Sequence, residues 1–482
     1  MTNTQCLWTI ADICAATNGQ TNDHAPTTMA DSMITDISID SREIKAGDLF
    51  VALPGTVSDG HKFLAAAQSA GASAALVSKI DRRLDLSQIC VSDCLQALRQ
   101  LGMAGRARFG GIQFGITGSV GKTGSKEMLR HALSQFGSCH ASQRSFNNHI
   151  GVPISLASLP QNAEFAVQEM GMNQAGEIAE LTKLTRPQIA LITRIADSHS
   201  AFFASTADIA AAKAEIFQAI EGLSIAVLNR DDAFYETLHA AAIEAGAKQV
   251  ISFGHQPKAA YRLVSITDHA AGMTIKACLA GTEHVFELRM YGRHLAENAM
   301  GVLACVAAAG LPADKAAAAL VDCQPPNGRG QRHSGIYNNC KISIIDGSYN
   351  ASPASMAAAF ASLAATPPHI MVLSEMRELG AATNRAHAAL APPINKLAPR
   401  IVIAIGAAMH DMLGALDQSI IAVAATDIKE AVAELSHTIT NGDRIFIKGS
   451  NGSGAWRVRD ALCTAMTADA PKRTLRGPSH AA

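Results

Sequence analysis

The chain has 482 residues, which is too long for one ordinary hydrophobic core, so several domains are expected. Its 40 Lys and Arg nearly balance its 41 Asp and Glu, which argues against a basic surface for nucleic acid, and no stretch approaches the ~20 apolar residues of a membrane span. The N-terminus has no signal-peptide pattern and the ten cysteines lack zinc-type spacing, so we expect a cytoplasmic protein with reduced thiols that binds small ligands.

The first 107 residues alternate short strand patterns with helical ones, which is typical of a small α/β unit. Arg42 follows the first predicted strand, and taken alone it is typical of a surface or capping position. The predicted buried face of an opening helix consists of Leu7, Ile10, Ala11 and Cys14. The predicted strands run from Ile37 to Asp40 and from Leu49 to Leu53.

A glycine-rich loop lies between a predicted strand, Ile112 to Ile116, and a helical pattern. Gly118 and Gly121 allow the backbone to turn so that N–H groups point inward, and the following helix adds the positive end of its dipole. The Lys122 amine can reach terminal phosphates and the Thr123 hydroxyl suits magnesium, so the loop predicts a nucleoside triphosphate site, with a plain glycine turn as the alternative. The loop residues expected to bind the nucleotide are Gly118, Ser119, Val120, Gly121, Lys122, Thr123 and Gly124.

Two candidate metal ligands follow predicted strands of the same region. Glu169 comes after a strand pattern from Phe165 to Val167, and His199 comes after one from Gln188 to Ile195. Because ligands of open parallel sheets bind beyond the carboxyl ends of the strands, Glu169 is placed to meet a magnesium ion held by Thr123. A lone histidine at a strand end is usually structural, so the metal-binding role of His199 stays open at this point.

Lys213 lies in an apolar helical pattern, Ile209 to Phe217, where few neighbours explain a charge. An ordinary solvated lysine is the alternative interpretation. An amine that approached two magnesium ions would repel them, unless carbon dioxide converted it into an anionic carbamate. The helical pattern by itself does not establish that conversion.

Three further polar motifs have open interpretations. Asn147 and Asn148 stand before a Gly-x-Pro turn and can simply be turn residues. The segment from Asn229 to Asp232 partly resembles the guanine-reading motif of small GTPases, but it lacks the lysine of that motif, which makes a GTPase the weaker hypothesis. His294 and Asn298 lie one turn apart on a helical pattern, where they can contact an amide or a base edge, or merely begin a core helix.

A cluster of Pro and Gly from Pro325 to Gly330 marks a domain boundary, and strands alternate with helices again beyond it. We therefore predict an α/β protein of three domains: a small α/β domain at 1–107, a central parallel-sheet domain with the phosphate loop at 108–325, and a Rossmann-like domain at 326–482. The predicted strands of the last domain are Ile342 to Ile345, Ile370 to Leu373, Ile401 to Ile405 and Arg444 to Ile447.

With these motifs placed in order, the chain closely resembles the Mur ligase family of cell-wall enzymes over nearly its whole length. A series of matching segments in the same order along the chain is highly specific for one family. The matching segments are Asp40 to Arg42, Gly47 to Phe50, Thr117 to Thr123, Ser145 to Asn148, Glu169 to Asn173, Lys213 to Phe217, Gly328 to Gln331 and Asp346 to Pro353.

The resemblance implies a UDP-binding first domain, a central ATPase domain and a C-terminal ligase domain. Two segments, Tyr349 to Ala351 and Glu378 to Gly380, favour the member that joins D-alanyl-D-alanine to UDP-N-acetylmuramoyl-tripeptide through an acyl phosphate in peptidoglycan precursor synthesis. The resemblance further implies ATP, two magnesium ions and a carbamylated lysine at Lys213, and we expect a monomer.

Residue roles are carried over by position. Lys122, His199 and Lys213 would be the catalytic residues. The resemblance assigns the uridine diphosphate to Ser41, Arg42, Asn147 and Asn148, ATP phosphate and one magnesium ion to Lys122, Thr123 and Glu169, the second magnesium ion to His199 and Lys213, adenine to His294 and Asn298, and nucleotide contacts from the third domain to Arg329 and Asp346.

Three positions depart from the usual pattern of the family. Leu295 stands where the family usually has asparagine, Ser374-Glu375 where it has a glycine followed by an acidic residue, and Asn451 where it has arginine. The first departure concerns contacts to adenine, and the other two concern the substrate surface of the third domain.

Two other classes of protein remain as alternatives. A ligase of the folylpolyglutamate synthase type shares the central and C-terminal architecture, but it has no reason to keep a UDP-type first domain containing Asp40 to Arg42. A non-catalytic nucleotide-binding regulator would tolerate the loss of Glu169, His199 and Lys213, and all three are present.

Overall fold

The computed structural model describes residues 6–22, 33–55, 58–143, 145–196, 203–218, 224–269, 272–364 and 366–467. Their contacts divide the chain into two compact units. The first unit comprises residues 1–196, 202–289 and 294–323, and the second comprises 197–201, 290–293 and 324–482. The predicted boundary between residues 107 and 108 lies inside the first unit, and the three domain ranges stay a prediction.

The N-terminal part of the first unit contains a sheet with the strand order β2-β7-β6-β5-β4 and a separate pair of strands, β1 and β3. Strands β4 to β7 are parallel and β2 is antiparallel to β7, which confirms a small α/β arrangement. The elements are β1 (Trp8–Thr9), α1 (Ile10–Thr17), β2 (Gln20–Thr21), β3 (Met33–Ile34), β4 (Ile37–Ser38), β5 (Leu49–Val51), a 3-10 turn (Gly60–Phe63), α2 (Leu64–Ser69), β6 (Ala74–Val77), β7 (Ser87–Cys90) and α3 (Cys94–Arg108).

The predicted face of the opening helix is wrong in part. Helix α1 begins only at Ile10, because Thr9 caps it and forms a capping box with Asp12. Leu7 therefore precedes the helix and Ala11 is exposed. The residues of α1 that are buried are Ile10, Ile13 and Thr17.

The N-terminal sheet shares a core with the next part of the unit. Ile154 and Ala157 pack in the same cluster as Ile13 and Leu49. The indole Nε1 of Trp8 also donates to the carbonyl of Ala157 at 2.7 Å. This common core positions the N-terminal sheet against the region that carries the phosphate loop.

The rest of the first unit is built on a sheet of nine described strands, in the order β16-β15-β14-β13-β12-β11-β8-β10-β9. The strands from β9 to β14 in this order are parallel, and β15 and β16 extend the sheet as antiparallel strands. The elements are β8 (Ile112–Thr117), α4 (Lys122–Leu133), β9 (Cys139–Ala141), α5 (Gly151–Ala157), β10 (Phe165–Glu169), α6 (Glu177–Thr185), β11 (Ile189–Ile192), α7 (Thr206–Ala214), a 3-10 turn (Glu215–Phe217), β12 (Ile225–Asn229), α8 (Tyr235–Glu244), β13 (Gln249–Gly254), β14 (Tyr261–His269), β15 (Gly272–Leu279), β16 (Thr282–Leu288), α9 (Arg293–Ala308), α10 (Ala313–Ala319) and a 3-10 turn (Leu320–Asp322).

The second unit contains a six-stranded sheet in the order β17-β18-β22-β19-β20-β21. Strand β17 is antiparallel to β18 and the other neighbouring strands are parallel, so the predicted doubly wound sheet is confirmed with an additional edge hairpin. The elements are β17 (Gln331–Tyr337), β18 (Cys340–Gly347), α11 (Pro353–Leu363), β19 (Ile370–Ser374), a 3-10 turn (Gly380–Ala382), α12 (Thr383–Ala388), α13 (Ala391–Leu397), β20 (Ile401–Ile405), a 3-10 turn (Ala407–Met409), α14 (His410–Gly414), β21 (Ile421–Ala425), α15 (Ile428–Thr438), β22 (Arg444–Lys448), a 3-10 turn (Asn451–Ser453) and α16 (Ala455–Ala465).

Two properties of the described residues bear on the predicted environment of the protein. All ten cysteines are described and all are free thiols. Among the described helices none is long and apolar enough to cross a bilayer.

Candidate active site

The phosphate loop connects strand β8 to helix α4 in the interior of the nine-stranded sheet. Gly118 and Gly121 have φ angles of 151° and 88°, which side-chain-bearing residues rarely adopt. A Cβ atom on Gly118 would overlap the hydroxyl of Thr193, and one on Gly121 would lie 2.8 Å from Nδ2 of Asn298. The structure therefore requires glycine at both positions, for backbone angle and for space.

The loop has the polar groups that a phosphate site needs. Gly121 is the N-cap of α4 and has no side chain that could accept hydrogen bonds from the first N–H groups of the helix. Such N–H groups at a helix N-terminus can bind an anion. The Lys122 amine folds back and donates to the carbonyl of Gly118 at 2.6 Å. The amine therefore lies over the loop.

A carboxylate and a hydroxyl meet beside the loop, as the sequence predicted. The Thr123 hydroxyl donates to Oε2 of Glu169 at 2.8 Å, and Nδ2 of Asn147 donates to Oε1 of Glu169 at 2.7 Å. The hydroxyl of Ser145 lies 3.3 Å from that of Thr123. Thr123 is 4% exposed and Glu169 only 1%. These hard oxygen atoms form a donor set that suits magnesium.

Sequence reasoning did not place Ser145 at this site, although it opens the motif that contains the two asparagines. Ser145 follows strand β9, which pairs with β10, and β10 in turn pairs with β8, so its position next to Thr123 depends on strand pairing. The only sign of this position in the sequence is that Ser145 belongs to a segment, Ser145 to Asn148, that matches the family pattern.

Lys213 is buried, which rules out the alternative of a solvated surface lysine. Its side chain is 1% exposed on helix α7. Burial lowers the pKa of its amine well below the usual value, and the positive charge of Lys122 lowers the pKa further. Lys213 therefore loses its proton more readily than an ordinary lysine does.

His199, the predicted partner of Lys213, lies outside the described residues. Within the described ranges no group of three or more His, Cys, Asp or Glu side chains could hold a metal ion. Glu169 and Thr123 would thus need further oxygen ligands from elsewhere, and phosphate oxygens and water commonly supply them to magnesium.

The start of helix α9 lies against the phosphate loop. The Asn298 side chain is beside Gly121, and Cδ2 of Leu295 is 3.8 Å from where a Cβ atom of Gly124 would lie. Asn298 is buried and His294 is half-buried. The structure thus brings Asn298 and Leu295 to the loop that would hold the phosphates, while contact of His294 and Asn298 with adenine stays a prediction.

The segment from Asn229 to Asp232, which partly resembles a guanine-reading motif, has a structural role. Asn229 donates to the carbonyl of Thr193 at 3.3 Å, and Asp232 accepts from the N–H of Ile195 at 2.6 Å. Asp231 accepts from the N–H of His255 at 2.6 Å. These side chains join loops at the ends of β11, β12 and β13. Their hydrogen-bonding atoms are therefore used within the protein and do not point to guanine recognition.

The residues predicted to bind the uridine diphosphate have other partners in the structure. Arg42 is exposed, and its Nη2 atom forms an ion pair with Oδ2 of Asp40 at 2.6 Å, which raises the pKa of the guanidinium. Oδ1 of Asn148 accepts from the N–H groups of Ile150 and Gly151 and so starts helix α5. Ser41 is half-buried in the same turn as Arg42. Their contacts with substrate stay predictions.

Asp346 belongs to the second unit and is fully buried. Its Oδ2 atom forms an ion pair with Nη1 of Arg459 at 2.6 Å, and its Oδ1 atom accepts from the hydroxyl of Ser348 at 2.5 Å. The guanidinium carbon of Arg329 lies 4.2 Å from the ring centre of Tyr349. Sequence reasoning missed Arg459, because nothing in the helical pattern of α16 singles it out.

Ser374 and Glu375, which depart from the family pattern, form hydrogen bonds within the second unit. The hydroxyl of Ser374 lies 2.6 Å from that of Ser453, and Glu375 accepts from the N–H of Ala408 at 3.0 Å. Lys448 donates to the carbonyl of Asn350 at 2.8 Å, and burial, followed by the charge of Arg329, lowers the pKa of its amine to about 8.

Sequence comparisons cover all three predicted domains. The profile described as "Mur ligase family, catalytic domain" matches residues 33–99. Those described as "Mur ligase middle domain" and "Mur ligase, glutamate ligase domain" match residues 116–306 and 328–451.

Individual proteins match over most of the chain. The UDP-N-acetylmuramoyl-tripeptide--D-alanyl-D-alanine ligase of Rickettsia prowazekii is 32% identical over 420 residues, which cover 86% of this chain and 92% of the relative. The ligase of the same name from Escherichia coli is 32% identical over 388 residues, covering 79% and 83%. A crystal structure of MurF from Acinetobacter baumannii is similar with a TM-score of 0.79 and 28% identity, covering 95% of this chain and 99% of that one. This whole-chain similarity confirms the predicted α/β fold class.

Proposed function

The chain belongs to the Mur ligase family, and from that premise we propose that it is the ATP-dependent ligase that adds D-alanyl-D-alanine to UDP-N-acetylmuramoyl-tripeptide in peptidoglycan precursor synthesis. The observation that carries this function is the match, over 86% of the chain, to a relative of that name. The phosphate loop with Lys122 and the buried pair of Thr123 and Glu169 supplies the chemistry that such a ligase needs.

The reaction activates a carboxylic acid. The terminal carboxylate of the tripeptide attacks the γ-phosphorus of ATP and ADP leaves, which gives an acyl phosphate. The amine of D-alanyl-D-alanine then attacks the acyl carbon, phosphate leaves, and the nitrogen loses a proton to complete the amide. Lys122 and the N–H groups of the loop would hold the phosphoryl oxygens on which negative charge accumulates.

Thr123 and Glu169 are the described residues that would hold one magnesium ion, since both are buried oxygen donors next to the loop. Magnesium, when bound, neutralises charge on the phosphoryl oxygens. His199 and a carbamylated Lys213 would hold a second ion. Support for this second site is the burial of Lys213 and the effect of the phosphate-loop lysine, Lys122, whose positive charge lowers the pKa of the Lys213 amine.

Carbamylation of Lys213 fits its surroundings chemically. Only an uncharged amine attacks carbon dioxide: the nitrogen bonds to carbon, loses a proton and becomes an anionic carbamate. Burial and the charge of Lys122 both favour the uncharged amine. The carbamate would then attract Lys122 and a magnesium ion instead of repelling them.

The remaining substrate contacts are proposed from the family pattern. Ser41, Arg42 and Asn148 would face the uridine diphosphate, whereas the contact of Asn147 with Glu169 favours a different role for that residue. The adenine residues would be His294 and Asn298, and the second unit would contribute Arg329 and Asp346. We also propose that the protein acts as a monomer in the cytoplasm; its ten free thiols are compatible with a reducing compartment.

Phosphate release by purified protein tests the function directly. With ATP and magnesium, each substrate alone should give little release, and UDP-N-acetylmuramoyl-tripeptide with D-alanyl-D-alanine together should give turnover. Release that ignores the dipeptide would reject the ligase assignment, and release that requires a folate and glutamate would favour the folylpolyglutamate synthase type. No release with any combination would favour a non-catalytic nucleotide-binding protein.

A further inference from the structure

Asn147 contacts the carboxylate that is expected to hold magnesium. Its Nδ2 atom donates to Oε1 of Glu169 at 2.7 Å, while the hydroxyl of Thr123 donates to the other oxygen, Oε2, at 2.8 Å. A carboxylate only accepts hydrogen bonds, so the amide must present its N–H group here. Because each oxygen has its own donor, the carboxylate plane of Glu169 is fixed from both ends.

The backbone that carries the Asn147 side chain is held in place by strand β10 and the residues after it. The N–H of Gly171 donates to the carbonyl of Asn147 at 2.7 Å, and Nε2 of Gln168 donates to the carbonyl of Phe146 at 3.1 Å. A Cβ atom on residue 171 would lie 3.0 Å from Cγ of Asn147, which is tighter than ordinary packing. The glycine therefore makes room for the amide next to Glu169.

We propose that Asn147 is a positioning residue that orients Glu169 for magnesium, and not a residue that binds the uridine diphosphate. This inference rests on the magnesium–ATP site of the proposed function. Groups that donate hydrogen bonds to a metal-ligating side chain fix its orientation, and removing such a donor typically costs roughly 10- to 100-fold in metal affinity. Without Asn147, Glu169 would keep only the bond from Thr123 and could turn about it.

Binding titrations with Asn147→Ala test this role without turnover. We would measure the magnesium concentration that half-saturates binding of a non-hydrolysable ATP analogue, and separately the affinity for UDP-N-acetylmuramoyl-tripeptide in metal-free buffer. The variant should need at least about 10-fold more magnesium for half-saturation. Its affinities for the metal-free nucleotide and for the UDP substrate should change by less than about twofold. His149→Ala is the matched control, because His149 is an exposed residue of the same loop.

A second variant, Gly171→Ala, perturbs the same contact without removing the amide. Its new methyl group should push Asn147 away from Glu169 and raise the magnesium requirement in the same direction, and thermal unfolding will show whether either variant has lost its fold. An unchanged magnesium requirement in the folded variants would overturn the proposal. So would a loss confined to affinity for the UDP substrate. Because these titrations involve no ligation, they separate this proposal from failure of the proposed function, which is decided by dipeptide-dependent phosphate release.

Discussion

Two lysines of the first unit are almost completely buried, for different reasons. Lys126 donates to the carbonyl of Ser142 at 2.5 Å and lies 3.1 Å from a carboxylate oxygen of Glu127, so its charge has partners. Lys213 is influenced by burial and by the like charge of Lys122, both of which lower the pKa of its amine. A charged amine is costly in such a place and an uncharged amine is not, whereas an anionic carbamate would need a cation such as Lys122 or magnesium beside it. This difference agrees with the proposed chemistry at Lys213 and with a structural role for Lys126.

Replacement of Lys213 tests the carbamate at the residue scale. Lys213→Ala should lower ligase turnover by at least about 100-fold, since an anionic group on the phosphoryl-transfer site would be lost. A short carboxylate such as acetate or propionate should restore part of the turnover by occupying the vacated space. The measurement is the rate of phosphate release as a function of added carboxylate.

Lys126→Ala supplies the control for that experiment. It removes another buried lysine of the same unit, and carboxylates should not restore any activity that it loses. Turnover of Lys213→Ala that equals the native rate, or rescue that is the same in both variants, would contradict the carbamate.

At the scale of secondary structure, the strand ends of the nine-stranded sheet are joined by side chains as well as by the backbone. The Thr193 hydroxyl, beyond β11, donates to the carbonyl of Val120 at 2.6 Å, and the hydroxyl of Ser119 donates to the carbonyl of Ala196 at 2.9 Å. Asn229 and Asp232 hold the same stretch after β11 from the side of β12. The phosphate loop is thus held in place by its neighbouring strand ends, which keeps its N–H groups oriented for phosphate.

Gly118→Ala should disturb this arrangement. The new Cβ atom would overlap the Thr193 hydroxyl, and the φ angle of 151° is unfavourable for alanine, so we expect roughly 1–3 kcal/mol of lost stability and weaker binding of ATP. Urea unfolding and nucleotide titration check the two effects. Gly110→Ala is the matched control, because a Cβ atom there would meet nothing within 4 Å. Equal behaviour of the two variants would show that the loop relaxes without cost.

In the molecule as a whole, the candidate phosphate-binding and metal-binding residues that the structure describes lie in the first unit. Lys122, Thr123, Glu169 and Lys213 belong to it, whereas Arg329 belongs to the second unit. A nucleotide that binds to the first unit should stabilise that unit by mass action, by about 2.7 kcal/mol when the ligand is present at 100 times its Kd.

Thermal unfolding with magnesium and a non-hydrolysable ATP analogue tests this whole-molecule prediction. The native chain should unfold at a higher temperature with the ligand, and Lys122→Ala should lose most of that shift because the amine no longer reaches the phosphates. Arg329→Ala should reduce the shift only if the second unit contacts the nucleotide, as the family pattern implies. A full shift in Lys122→Ala would contradict the assignment of the phosphate loop.

Much of the fold and part of the site could be predicted from the sequence. Buried parallel strands are continuous apolar runs, so the sequence predicts β8, β10, β11, β18, β19, β20 and β22 to within a few residues, although their ends are not exact. The antiparallel strands β15 and β16 were missed, because their half-exposed residues alternate and give no continuous apolar run. The edge strand β17 was missed for a similar reason.

By itself, the sequence determined the phosphate loop, the α/β class and the family resemblance, because glycine spacing, a lysine and a hydroxyl at a strand-to-helix turn are local properties of the chain. Only the tertiary structure decided that Asn147 bonds Glu169, that Lys213 is buried near Lys122, and that Asn229 and Asp232 join loops. These contacts depend on which strand ends become neighbours in the sheet, and residues far apart in sequence carry no local sign of that pairing.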